Sequence, residues 1–170
     1  MRIPRFLSWP LIVLVLVLIC FPLSGAGECV MTSPCAAYYS TPAIFVGKVL
    51  SVSGPNGESP FENRIFLEPG QPISVKFEVL KAIKGIESSQ VTVVMRAGSS
   101  ECCYSFKRSK TYLVFARRHA EELVTSGCDP NKLVGNLEKD ADVQLLLSMK
   151  KEVNIEAQKQ LCVSSDAKRK

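Results

Sequence analysis

Histidine is nearly missing from this chain, one in 170 residues, and that scarcity narrows the available chemistry. A nucleophile paired with an imidazole base needs a histidine held by an orienting partner. The single candidate, His119, follows Arg117-Arg118 at the end of an apolar run, where a solvent-facing side chain is expected. No Gly-x-Ser-x-Gly elbow, His-Glu-x-x-His pair, phosphate-binding glycine loop or Gly-x-Gly-x-x-Gly turn occurs. The sequence reads as a non-enzyme that requires no cofactor and no resident metal, and its cysteines lack the Cys-x-x-Cys spacing typical of zinc sites. A dominant charge is lacking too. The 21 Lys+Arg exceed the 16 Asp+Glu by only five, too few for the dense basic face of a nucleic-acid-binding domain. There is no Asn-x-Ser/Thr acceptor, so glycosylation says nothing about compartment.

Long hydrophobic runs are confined to one place. Arg2 and Arg5 precede an apolar stretch from Leu11 to Phe21, followed by the small residues Ser24, Gly25 and Ala26. A membrane span needs about 20 apolar helical residues, so this stretch reads as a secretory signal peptide over 1–26, cleaved after Ala26. The expected mature chain is secreted, periplasmic or extracellular, and off the membrane. Of seven cysteines, Cys20 would leave with the signal. Cys29, Cys35, Cys102, Cys103, Cys128 and Cys162 remain, an even set that exported proteins oxidise to disulfides, with 15 possible connectivities. Cys102 and Cys103 are adjacent, with Cα atoms about 3.8 Å apart, which is closer than disulfides usually allow, so each should seek a separate partner.

Along the mature chain, Ala43 to Val52 is apolar on both alternating faces, as in a strand covered on two sides, with Gly47 a candidate bulge. Residues 53–71 form a long Gly/Pro/Ser/Asn-rich connection; its Phe61, Ile65, Phe66 and Leu67 are candidates to flank a partner. Ile73, Val75, Phe77 and Val79 alternate with Ser74, Lys76 and Glu78 in a half-buried antiparallel strand ended by Lys84-Gly85. Strands are also predicted at Val91 to Met95, Thr111 to Arg117 and Glu122 to Ser126. Leu133, Leu137, Val143, Leu146, Leu147 and Met149 then recur at helical steps, which predicts a helix over 139–160 and a basic, disordered tail over 163–170. Five strands and a terminal helix suit a mainly β fold, a small Greek-key barrel of the OB type.

Several segments occur in an order that resembles a known family. They are Ala43-Ile44-Phe45-Val46-Gly47-Lys48-Val49, Val75 to Gly85, Cys102-Cys103-Tyr104-Ser105-Phe106, Lys110 to Ala116 and Leu123 to Cys128, with cysteines near both ends. Together they are similar to the inhibitory domain of tissue inhibitors of metalloproteinases, in its short bacterial form, and to the related netrin-type modules. The resemblance spans about Cys29 to Leu147. It implies a disulfide-tied, five-stranded OB-like barrel over 27–162 and a protein partner, a zinc metalloprotease.

In that family a Cys-x-Cys pair opens the mature chain, and the first cysteine's α-amino group and carbonyl chelate the protease zinc. This chain has Gly27, Glu28 and Cys29 there. If Cys29 matches the second cysteine of the pair, the resemblance implies Cys29–Cys128 and Cys35–Cys162. If it matches the first, it implies Cys29–Cys102. The former is preferred because cleavage after Ala26 then leaves Gly27 as the terminus, making Gly27, Glu28 and Cys29 the candidate inhibitory wedge. An extracellular protein- or polyanion-binding module of the same fold without inhibitory activity is the alternative.

Overall fold

The computed structural model describes residues 32–54, 71–96 and 104–167. The eleven-residue strand β1 (Ala43–Ser53) pairs antiparallel with β2 (Pro72–Lys84), which pairs antiparallel with β3 (Gln90–Arg96). β3 runs parallel to β5 (Glu122–Val124), β5 pairs with β4 (Thr111–His119), and β4 returns to β1. The order β1-β2-β3-β5-β4-β1 closes a five-stranded OB-like barrel. A short β6 (Lys132–Leu133) pairs with the start of β4.

β1 and β4 are apolar on both faces because each face has its own core. Phe45, Val75, Phe77, Val93, Met95, Phe106 and Val114 fill the barrel. Ile44, Val46, Leu113 and Phe115 point outward under three helices: α1 (Pro34–Ser40), α2 (Ala141–Lys151) and α3 (Ile155–Ala167). Each fully buried Phe, Leu or Ile side chain contributes about 1.5–3 kcal/mol, so both layers contribute substantially to stability. Gly47 sits at a register shift between β1 and β2, where an added Cβ would meet Phe45 and Phe77 at 2.8 and 3.1 Å. Gly85 follows β2 at φ +63°, with space for a Cβ blocked by the Pro42 carbonyl.

The C-terminal region departs from the expected single helix over 139–160. Two helices meet at a corner, because Glu152 leaves helical geometry as the C-cap of α2 and the Asn154 side chain accepts from Glu156 N–H as α3 begins. Gln158 closes the corner by donating to the Met149 and Glu152 carbonyls at 2.9 and 2.6 Å, satisfying acceptors that a helix end leaves free. Asp140 caps α2, accepting from the Asp142 and Val143 N–H groups. Leu133, read as helical from its spacing, lies in β6 with its side chain 55% exposed. α3 continues past Cys162 to Ala167, so helix replaces the expected tail over 163–167. α1 has no counterpart among the sequence predictions; Ser33 caps it and Pro34 opens it.

Candidate functional site

Strand directions sort the connections into two ends of the barrel. Ser53 pairs with Ser74, Pro72 with Arg96, and Val94 with Val124 in parallel. Ser109 N–H donates to Val49 C=O just before β4. The chain therefore leaves β1, β3 and β5, and enters β2 and β4, at one common end. The β2–β3 and β4–β5 turns lie at the other.

The candidate wedge residues Gly27, Glu28 and Cys29, the candidate flanking residues Phe61, Ile65, Phe66 and Leu67, and Cys102 and Cys103 all lie outside the described residues. The strand ends bounding residues 55–70 and 97–103 belong to the common end. Two of the candidate cysteines are brought together: Cys35 on α1 and Cys162 on α3 form a disulfide with Cα atoms 5.6 Å apart, a pair that the family resemblance implies when Cys29 is matched to the second cysteine of the opening pair. The Met149 sulfur packs 3.8 and 3.7 Å from their sulfurs, so the bridge closes over the helix-side core.

Cys128 is disulfide-bonded as well, to a cysteine outside the described residues. The loop that carries it is fixed by a buried polar network. Asp129, 5% exposed, accepts from Ser126 N–H at 2.8 Å, from Ser126 Oγ at 2.9 Å and from Arg117 Nη2 at 2.6 Å. The arginine pairing is charge-assisted, and the remaining Asp129 contacts turn the chain tightly between Ser126 and Asp129. Beneath it, Asn131 Nδ2 donates to Thr125 Oγ1 and to the Ser126 carbonyl at 2.9 and 3.1 Å. No buried side-chain N or O among the described residues lacks a partner, so this corner is rigid.

On the same end, the segment that follows Cys103 is anchored by rings. Tyr104, Phe106 and Tyr112 cluster in edge-to-face and tilted contacts with centroids 4.8–5.9 Å apart, and Phe106 packs edge-on to Phe77 at 5.2 Å. Tyr112 Oη accepts the Lys107 N–H at 2.9 Å. Burial, and next the neighbouring Tyr112, push the Tyr104 hydroxyl pKa above its ordinary value.

Asp129, Asn131 and Thr125 were not singled out by sequence reasoning. The one local signal was the Gly127-Cys128-Asp129-Pro130 turn. His119 is solvent-exposed at the opposite end. Among the described residues, no group of three or more His, Cys, Asp or Glu side chains could hold a metal ion, and no helix is long and apolar enough to cross a membrane. What the arrangement supplies is a rigid, covalently anchored rim, suited to presenting chain segments to a partner. Comparison with known protein families and with curated proteins finds no match.

Proposed function

We propose that this chain is a secreted, non-enzymatic protein of the metalloproteinase-inhibitor and netrin type that binds a zinc metalloprotease through Gly27, Glu28 and Cys29. One observation carries the reading: Cys128 sits on a rigid loop at the rim of an OB-like barrel and is disulfide-bonded to a cysteine beyond the described residues. With Cys29 as that partner, the bond ties the mature terminus to the barrel. An α-amino group with a pKa of about 8 is partly neutral at working pH and serves as a nitrogen ligand to a zinc held by the protease. Disulfide anchoring lowers the ordering cost of binding. Phe61, Ile65, Phe66 and Leu67 would flank the contact. The protein itself carries no cofactor, and its partner is a protein rather than nucleic acid or membrane.

A non-reducing peptide mass map of the secreted protein, followed by titration against zinc proteases with and without α-amino acetylation, tests this reading. A terminus at Gly27, a Cys29–Cys128 bond and inhibition abolished by acetylation are the expected results. An unprocessed terminus, a free Cys29, or inhibition indifferent to acetylation overturns it. The Gly27-Glu28-Cys29 start, with one cysteine where the family has two, favours a second reading: binding to a protein or polyanion by the same fold without inhibition. Protease binding that leaves activity intact would select it.

A further inference from the structure

The barrel has an opening at the end opposite the Cys128 rim. β5 begins only at Glu122 and pairs with β3 at Val93 and Val94, so no described strand lies beside Gln90–Thr92 on that side. The β2–β3 register, with Val79 N–H donating to Ser89 C=O, makes Val91 a hydrogen-bonded partner of β2. Gln90 and Thr92 thereby direct their N–H and C=O groups away from β2, toward the gap. A cleft of about 790 Å³ occupies it. Ile86, Val91 and Leu123 are half-buried, pack against the barrel core and form its apolar floor. Glu87, Glu121 and Glu122 line its mouth against one cation, Arg118, and all four are exposed. The excess of negative charge here runs against the basic balance of the whole chain.

We propose that this cleft docks an extended, basic segment of a partner protein. The segment adds alongside Gln90–Thr92 by backbone hydrogen bonding, sets one apolar side chain on the Ile86, Val91 and Leu123 floor, and places flanking Lys or Arg side chains against Glu87, Glu121 and Glu122. Ile86, Glu87, Glu121 and Glu122 lie at the β2–β3 and β4–β5 turns, the barrel end opposite the Cys128 loop, so a partner bound here leaves the Cys128 rim open.

The test uses the full mature protein and an end-blocked, fluorescein-labelled heptapeptide of sequence Lys-Thr-Lys-Val-Lys-Thr-Lys, with a control carrying Glu at every Lys. Saturable binding of the basic peptide, weakened about tenfold or more in the Glu121→Lys/Glu122→Lys protein and accompanied by slowed amide exchange at Gln90 and Thr92, supports the proposal. Both substituted side chains are exposed, so folding is expected to be retained, and exchange protection on the unsubstituted protein is an independent readout. No saturable binding up to about 1 mM, equal binding of the acidic control, or protection that maps to the Cys128 rim overturns it.

Discussion

Asn131 Oδ1 accepts the backbone N–H of Phe115 at 2.8 Å, and this contact helps bridge a gap along the edge of β4. On the edge of β4 away from β1, β5 pairs with Arg117, Arg118 and His119 while β6 pairs with Tyr112 and Leu113. Among the described residues, no strand lies beside the stretch between. Two side chains stand in: Asn131 takes the Phe115 N–H, and Thr125 Oγ1 donates to the Phe115 carbonyl at 2.7 Å. Buried backbone groups need such partners, and these two come from the loop that carries Cys128.

Replacing Asn131 with Leu strands the Phe115 N–H and removes the donors to Thr125 and Ser126. Leaving buried polar groups unpaired costs about 1–3 kcal/mol each, so the Asn131→Leu protein should lose about 3 kcal/mol or more in urea unfolding. Amide exchange at Phe115 and through residues 125–131 should rise above that of β2. A variant of unchanged stability would show that the gap is satisfied in another way.

Lys132 gives a pH dependence with a definite sign. Its ammonium lies 2.7 Å from Asp142 and 3.0 Å from the Asp140 carboxylate, joining β6 to the cap of α2. Burial works to lower its pKa, but the hydrogen bonds to Asp142 and Asp140 outweigh it and the pKa is raised. A base whose folded pKa exceeds its unfolded one contributes stability that is fully present below the unfolded value, about 10.4, and is lost as pH rises through the folded one. Lys132→Met should therefore cost about 1 kcal/mol at neutral pH, given the partial exposure of the lysine. The difference from the parent should shrink in the alkaline range. Tyr104, whose pKa is also raised by burial although the Lys132 charge works to lower it, titrates in the same range, so both proteins are compared in a Tyr104→Phe background that removes its contribution. Paired urea titrations across pH check this; a difference that holds constant above about pH 11 contradicts it.

Strands were legible in the sequence where burial imposes an alternation or a doubly apolar run. Val75, Phe77 and Val79 against Lys76 and Glu78 mark β2 because one face is core and the other solvent. Ala43 to Val52 marks β1 because both faces are covered. The corner at 152–154 was not legible: Glu152 and Asn154 are compatible with an exposed helix face, and only the Gln158 caps and the α3 packing make them helix ends. α1 is too short for a periodic signal, leaving the Ser33-Pro34 start as its one mark. Cysteines announce the anchor points because oxidation chemistry resides in the residue itself. Asn131 and Asp129 do not, since their roles exist only where β5 and β6 fail to meet along β4.

The Cys35–Cys162 bridge closes a loop with a sequence separation of 127, and its stabilisation should be large for that reason. The chain-entropy account of cross-linking gives about 5 kcal/mol for such a loop. That is comparable to the whole stability of many domains of this size. The bridge also determines which part of the fold fails first. α3 packs on α2 through partly buried Leu161 and Cys162 and exposes Ile155 and Val163, so it buries little apolar area of its own. The barrel, by contrast, is held by strand pairing and a continuous aromatic core that the bridge does not touch. The Cys35→Ala/Cys162→Ala protein should lose about 3–5 kcal/mol, with amide exchange rising first across 155–167 while Val75, Phe77 and Val114 stay protected. Uniform loss of protection across helices and barrel would mean that the two cores unfold as one unit. Retention of α3 at full stability would mean that Leu161 packing on the helix-side core and the Gln158 contact with Met149 suffice without the covalent tie.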